Sequence, residues 1–142
     1  MAKMLEIKID GKAFTAELLE KEAPKTCEAV LKALPLEGTL LHAAWSGDNV
    51  YLGITPDKLP KGFSVPQENP TIYGSLGDVL WYPQPHYHEF FIAHDVAQYR
   101  WKTGNLVSNL FGKIKENLEE LDKLCRSIQR EGGKKIVLRL KE

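Results

Sequence analysis

The chain has 142 residues, of which 43% are hydrophobic and 27% charged. That length and mix describe one folded domain spanning residues 1–142 and exclude a disordered chain, a collagen-like repeat and a low-complexity linker. With 19 basic and 19 acidic residues the formal net charge is 0, which argues against a nucleic-acid binder with its basic footprint and against a polybasic membrane anchor.

In chain order, Leu5, Ile7 and Ile9 alternate with Glu6, Lys8 and Asp10, the period of a half-buried strand over about residues 3–9. Asp10-Gly11 follows, a two-residue hairpin signal because both positions favour positive φ. Phe14, Ala16 and Leu18 then alternate as a second strand over about 13–19. Pro24 suits the first turn of a helix, and Cys27, Val30, Leu31 and Leu34 form its apolar stripe before Pro35 stops it. Cys27 on that stripe reads as core.

Two more strands are expected, Thr39 to Trp45 and Val50 to Ile54, joined by a turn at Ser46-Gly-Asp-Asn49. Residues 55–77 lose periodicity and hold four prolines, a long ordered loop with a short pairing near Thr71–Tyr73. Asp78–Tyr82 and Tyr87–His94 read as a strand pair broken by Pro83-Gln-Pro85. A second loop, Asp95–Asn105, carries Tyr99, Arg100 and Trp101, and Leu106–Ile114 resumes a strand. Ile114, Leu118, Leu121, Cys125 and Ile128 mark a helix stripe. Asn117 with Glu120 predicts a capping box at its start, Glu119–Lys123 and Asp122–Arg126 are spaced as i, i+4 pairs, and Gly132-Gly133 ends it. Ile136, Leu138 and Leu140 alternate as a last strand. Many short strands and two helices predict a mainly β protein, a closed barrel capped by helices.

The amino terminus carries charges throughout and lacks the apolar core of a signal peptide. No apolar run approaches the roughly 20 residues that span a bilayer, and two cysteines are too few for a disulfide scaffold. The expectation is a cytoplasmic protein. Walker and GxGxxG loops and a nucleophile elbow are absent, so no cofactor is expected.

Two clusters could carry chemistry. His86 and His88 share one side of an extended segment and with His94 or His42 could ligate a metal, although hydrogen-bonded or exposed histidines are the simpler reading and no metal is expected. The second cluster is aromatic: Trp45, Tyr51, Trp81, Tyr82, Tyr87, Phe90, Phe91 and Trp101. Alternation puts Val79, Trp81, Phe90 and Ile92 on one strand face and Tyr82 and Phe91 on the other. An outward aromatic patch beside Trp101 would form a groove; packing under the long loop competes with that reading.

Several segments resemble the cyclophilin-like superfamily. They are Asp10-Gly11, Glu17-Leu18 and Pro24-Lys-Thr26 with Glu28, then Gly77-Asp-Val-Leu-Trp81 followed by Phe90-Phe-Ile92, then Leu110-Phe-Gly-Lys-Ile-Lys-Glu116 and Gly133-Lys-Lys-Ile-Val137. The resemblance runs in order over nearly the whole chain and implies a closed eight-stranded barrel with two helices. It also implies a prolyl-isomerase site, from which this sequence departs. The family's Phe-His-Arg motif aligns with Leu41-His42-Ala43, so alanine stands where the catalytic arginine would be. The glutamine-glycine-glycine-aspartate segment has no counterpart after Tyr51, and Ser108 or Asn109 stands near the family's histidine. Phe91 matches the proline-pocket phenylalanine, and Trp101 the groove tryptophan. Glu68-Asn-Pro-Thr71, Gly77-Asp78 and Tyr82-Pro83 resemble small prokaryotic cyclophilin-like proteins of unknown function more closely.

The expected role is a binding module for a small molecule or a short proline-containing peptide. The candidate site residues are Trp81, Tyr82, Phe91 and Trp101 for stacking, Arg100 for a carboxylate or carbonyl, and His86 and His88 for polar contacts. A weak prolyl isomerase with a relocated catalytic group is the alternative. A metal enzyme built on His86 and His88, and a homodimer or larger assembly, are further readings.

Overall fold

A computed structural model describes residues 3–84 and 86–142; Met1, Ala2 and Pro85, the last within the predicted Pro83-Gln-Pro85 break, lie outside the described residues. Eight strands build the barrel: β1 (Met4–Ile9), β2 (Lys12–Leu18), β3 (Leu36–His42), β4 (Gly47–Ile54), β5 (Asp78–Tyr82), β6 (His88–Gln98), β7 (Ser108–Ile114) and β8 (Lys134–Leu140). Helices α1 (Pro24–Ala33) and α2 (Leu118–Glu131) complete it. Neighbours run β2-β1-β8-β3-β4-β6-β5-β7, every pair antiparallel, and β7 pairs back onto β2 to close the ring. Closure leaves no strand edge among these eight. Among the described residues no helix is long and apolar enough to cross a membrane.

The β1–β2 hairpin turns at Asp10 and Gly11 with φ of 50° and 82°. Both lie in the left-handed region that a two-residue turn requires. The alternation of each strand sorts its side chains. Leu5, Ile7, Phe14, Val50, Trp81, Phe90, Ile92, Phe111, Ile136 and Leu138 fill the interior, joined by Cys27 and Val30 of α1 and Leu121, Cys125 and Ile128 of α2. Burial pushes the thiols of Cys27 and Cys125 up to about 12, as expected of core cysteines.

α1 begins at Pro24 without a side-chain cap from Ala23. Glu68, from the long loop, supplies the missing acceptor. Its carboxylate accepts from the Lys25 and Thr26 amides at 3.2 and 2.7 Å and from the Thr26 hydroxyl at 2.7 Å. Partial burial opposes the charge, but the Thr26 hydrogen bonds prevail and hold Glu68 below the usual carboxylate range. Asn109 ties the same junction: its amide donates to the Thr26 hydroxyl at 3.1 Å and to the Pro66 carbonyl at 2.8 Å. The segment 55–77 is thereby fastened to the barrel, with a 3-10 turn at Pro56–Lys58 and short pairings at Pro70–Thr71 and Tyr73–Gly74.

Four expectations need correction. β3 ends at His42 rather than Trp45, because Ala43 and Ser46 close a 3-10 turn over Ala44–Ser46, the Ser46 amide donating to the Ala43 carbonyl at 2.8 Å. The chain then enters β4 at Gly47, two residues after Trp45 rather than through a longer turn. No capping box forms at α2: Asn117 is left-handed (φ 56°) and its side chain makes no cap hydrogen bond, since that backbone conformation differs from the extended one in which a cap side chain meets the first amides. Ile114 ends β7 instead of starting the helix stripe. Finally, β6 runs to Gln98, four residues beyond the predicted end, because Ala97 pairs with both Gly47 and Gly74.

Candidate functional site

A second, smaller core lies outside the barrel, on the face of β4, β6, β5 and β7. Leu80, Phe91, Ala93, Ala97, Tyr99 and Leu106 are buried there under the segment 99–106. In register Phe91 stands between Tyr51 of β4 and Leu80 of β5. Its ring stacks on Tyr99 (centroids 5.1 Å, 11°) and on Tyr82 (6.3 Å, 13°), an offset-stacked column.

Ser46 fixes the covering segment. Its hydroxyl donates to the Arg100 carbonyl at 3.0 Å and accepts from the Arg100 amide at 3.2 Å. The two-stranded hairpin Arg100–Trp101 with Gly104–Asn105 then sets Trp101 edge-on to Trp45 at 5.2 Å, and Trp45 edge-on to Tyr51 at 5.9 Å.

Between the Tyr82–Phe91 column and the Trp45–Trp101 pair lies a cavity of about 340 Å³, at the small end for ligand pockets. Six aromatic side chains border it: Trp45, Tyr51, Tyr82, Tyr87, Phe91 and Trp101. Ala43, Ser46, Asn49, Gln84, Glu89, Thr103 and Leu106 complete the wall. Tyr87 reaches the cavity across Gly53, where any Cβ would collide with its hydroxyl.

Glu89 carries the cavity's formal charge. It pairs with Gly53 and Tyr82 in register, two residues from Phe91 on the same face. Burial alone raises its carboxyl to about 7: no hydrogen bond or opposite charge among the described residues offsets desolvation. Burial and the neighbouring Glu89 push Tyr51 above 10 and Tyr87 up to about 12. Asn49 is 1% exposed, and both polar atoms of its side chain are unpartnered among the described residues.

The structure distributes the sequence-predicted site residues unevenly. Tyr82, Phe91 and Trp101 line the cavity. Trp81 does not, because alternation turns it inward, where it is fully buried and its Nε1 donates to His88 Nδ1 at 2.9 Å. His88 is likewise an interior residue, against Phe63 (5.1 Å, edge-on), and burial lowers its pKa. His86 is exposed on the loop before β6 and does not share the environment of His88, so the two do not form a paired metal-binding face. Among the described residues there is no cluster of three or more metal-ligating side chains. Arg100 is exposed and contributes its backbone to the Ser46 clip, not its guanidinium to the cavity wall. Glu89 and Asn49 escaped the sequence reading; Trp45, Tyr51 and Tyr87 stood in its aromatic cluster but not among its candidate site residues. The retrievable signal was Glu89 itself, an acid on the outward alternation of Phe91.

No curated protein matches the chain. Among solved structures, McbB in complex with tryptophan superposes with a TM-score of 0.63 at 16% identity over 96% of this chain, which spans 44% of McbB. A hypothetical protein from Archaeoglobus fulgidus gives 0.56 at 19% identity, covering 99% of this chain and 95% of that one. A cyclophilin-type peptidyl-prolyl cis-trans isomerase from Cryptosporidium parvum, in the presence of the dipeptide Ala-Pro, gives 0.56 at 19%, covering 98% and 99%. At these identities the likeness is one of fold, and the fold is cyclophilin-like. A family model described as a protein of unknown function, DUF3830, matches residues 5–140. The chain therefore belongs to the DUF3830 family, carried on a cyclophilin-like barrel.

Proposed function

We propose that this protein binds a small molecule in the aromatic cavity on the outer face of the barrel. One observation carries the reading: six aromatic side chains and a lone carboxyl surround a cavity of about 340 Å³ that the protein's own side chains leave open. Packing under a loop would fill such a space, since interiors close to crystal-like density. The Ser46–Arg100 clip holds the cavity's lid in place, which limits the ordering that a ligand must impose.

The prolyl-isomerase alternative draws less support. Ala43, which stands at the arginine's place in the cyclophilin resemblance, borders the cavity with a methyl group, and no Lys, Arg or His lines the wall among the described residues. The transition state of amide rotation would find no cationic group there among the described residues.

Thermal shift against a metabolite panel and proline-containing peptides tests the proposal. A small molecule that raises Tm in the wild type and not in Trp101→Ala supports it. Stabilisation that Trp101→Ala leaves intact, or by peptides alone, overturns it. Peptide isomerisation above the thermal rate, lost in Trp101→Ala, would favour the isomerase instead.

A further inference from the structure

We infer that the cavity's ligand is an organic cation, an ammonium group carried on a compact apolar body. The inference rests on the small-molecule reading above and names its chemical class.

Glu89 stands two residues from Phe91 on the same strand face, while Trp45, Tyr51, Tyr87 and Trp101 border the same space. No basic residue lines the wall among the described residues, so the carboxylate has no counter-ion of its own. A desolvated carboxylate without a partner is costly. An entering cation removes that cost in two ways: it pairs with the carboxylate, and it meets the negative faces of the rings. An anion would meet repulsion from both. A neutral ligand would bury the carboxyl further and offer it no charge. The protein already uses one of these rings in this manner, since Lys102 holds its ammonium 5.6 Å from the Trp101 ring centroid. Asn49 borders the same space with both polar side-chain atoms buried and unpartnered among the described residues.

Titration calorimetry at pH 8 tests this with three probes of one shape: phenethylamine (cation), 2-phenylethanol (neutral) and 3-phenylpropionate (anion). Phenethylamine is expected to bind at least tenfold tighter than either other probe, and Glu89→Gln to abolish that preference. A second readout needs no variant. At pH 7 phenethylamine should release about half a proton per molecule bound as Glu89 ionises, seen as heat that depends on the buffer. Tyr51, Tyr82 and Tyr87 face Glu89 from the neighbouring elements; the raised Tyr51 and Tyr87 stay neutral there. Equal or tighter binding of 2-phenylethanol or 3-phenylpropionate, abolished by Trp101→Ala, would overturn the cation class and leave the cavity as a binding site. A cation preference unchanged in Glu89→Gln, or no proton release, would also overturn it. Binding of none of the three probes would overturn it together with the small-molecule reading.

Discussion

His42 and His94 meet through their Nε2 atoms, 2.9 Å apart, while His94 Nδ1 lies 2.7 Å from the Asp122 carboxylate. Asp122 accepts from His94 Nδ1–H, and a single proton bridges the two facing Nε2 atoms. His42 Nδ1 is buried without a partner among the described residues. The chain ties β3 and β6 to α2, and Arg126 extends it to Asp122 at 2.9 Å and Asp48 at 3.3 Å.

Acid should loosen this junction. Burial first, and then the adjoining His94, lower His42 below its ordinary 6.5. A group with a depressed folded pKa gives stability that is present above its unfolded pKa and lost as pH falls through the folded one. Tm should therefore drop between pH 7 and pH 5, with buried His88, also lowered, adding to the fall. Differential scanning fluorimetry should show a shallower slope for His42→Gln. A flat wild-type profile, or an unchanged slope in the variant, would refute the assignment. Asp122, below its ordinary 3.8 despite burial because His94 and Arg126 bond it, acts only in a lower window.

Trp101 and Trp81, outside and inside the barrel, should separate binding from stability. Trp101 is 46% exposed, so Trp101→Ala should cost less than about 1 kcal/mol of folding free energy and weaken phenethylamine roughly tenfold. Trp81→Phe should do the reverse. It leaves the buried His88 Nδ1 without its donor, at about 1–3 kcal/mol, and leaves the affinity unchanged. Urea denaturation and calorimetry on both variants check the pair; the same pattern in each would contradict the inside–outside assignment.

Gly53→Ala should displace Tyr87 from the cavity. The new methyl would meet the hydroxyl and lie 3.0 Å from the ring carbon bearing it. Gly53 does not have the positive φ that only glycine accepts easily, so the strand itself should tolerate alanine. Weaker ligand binding is expected with little change in Tm. Adding Tyr87→Phe removes the nearest colliding atom and should recover part of the affinity, a coupling that a double-mutant cycle measures. Simple additivity would place Tyr87 elsewhere.

Glu89 predicts opposite pH trends for binding and folding. Phenethylamine affinity should rise as pH passes through about 7 and the carboxyl ionises. Stability runs the other way. A folded pKa raised above the unfolded 4.5 contributes stability that is lost as pH rises through about 7. Glu89→Gln should hence melt a few degrees above the wild type at pH 8 and level with it at pH 4. Equal melting at both values would mean that the carboxyl is not desolvated.

The sequence by itself determined the barrel. Period-two alternation placed most strands, Asp10-Gly11 fixed the first hairpin, and Pro24 opened the first helix, because such preferences are local and each agrees with the closed sheet. It also separated Trp81 from Tyr82 and Phe91, since alternation alone assigns strand faces. Elements set by distant partners were not legible: Glu68 capping α1 from more than 40 residues away, the turn that ends β3 before Trp45, and β6 prolonged by Gly47 and Gly74. The site lay on the same side of that divide. Only the tertiary structure brought Glu89 under Tyr87, buried Asn49 without a partner and held Arg100 by its backbone. Those outcomes depend on which loop crosses which strand, and a one-dimensional pattern carries no record of desolvation imposed by residues far along the chain.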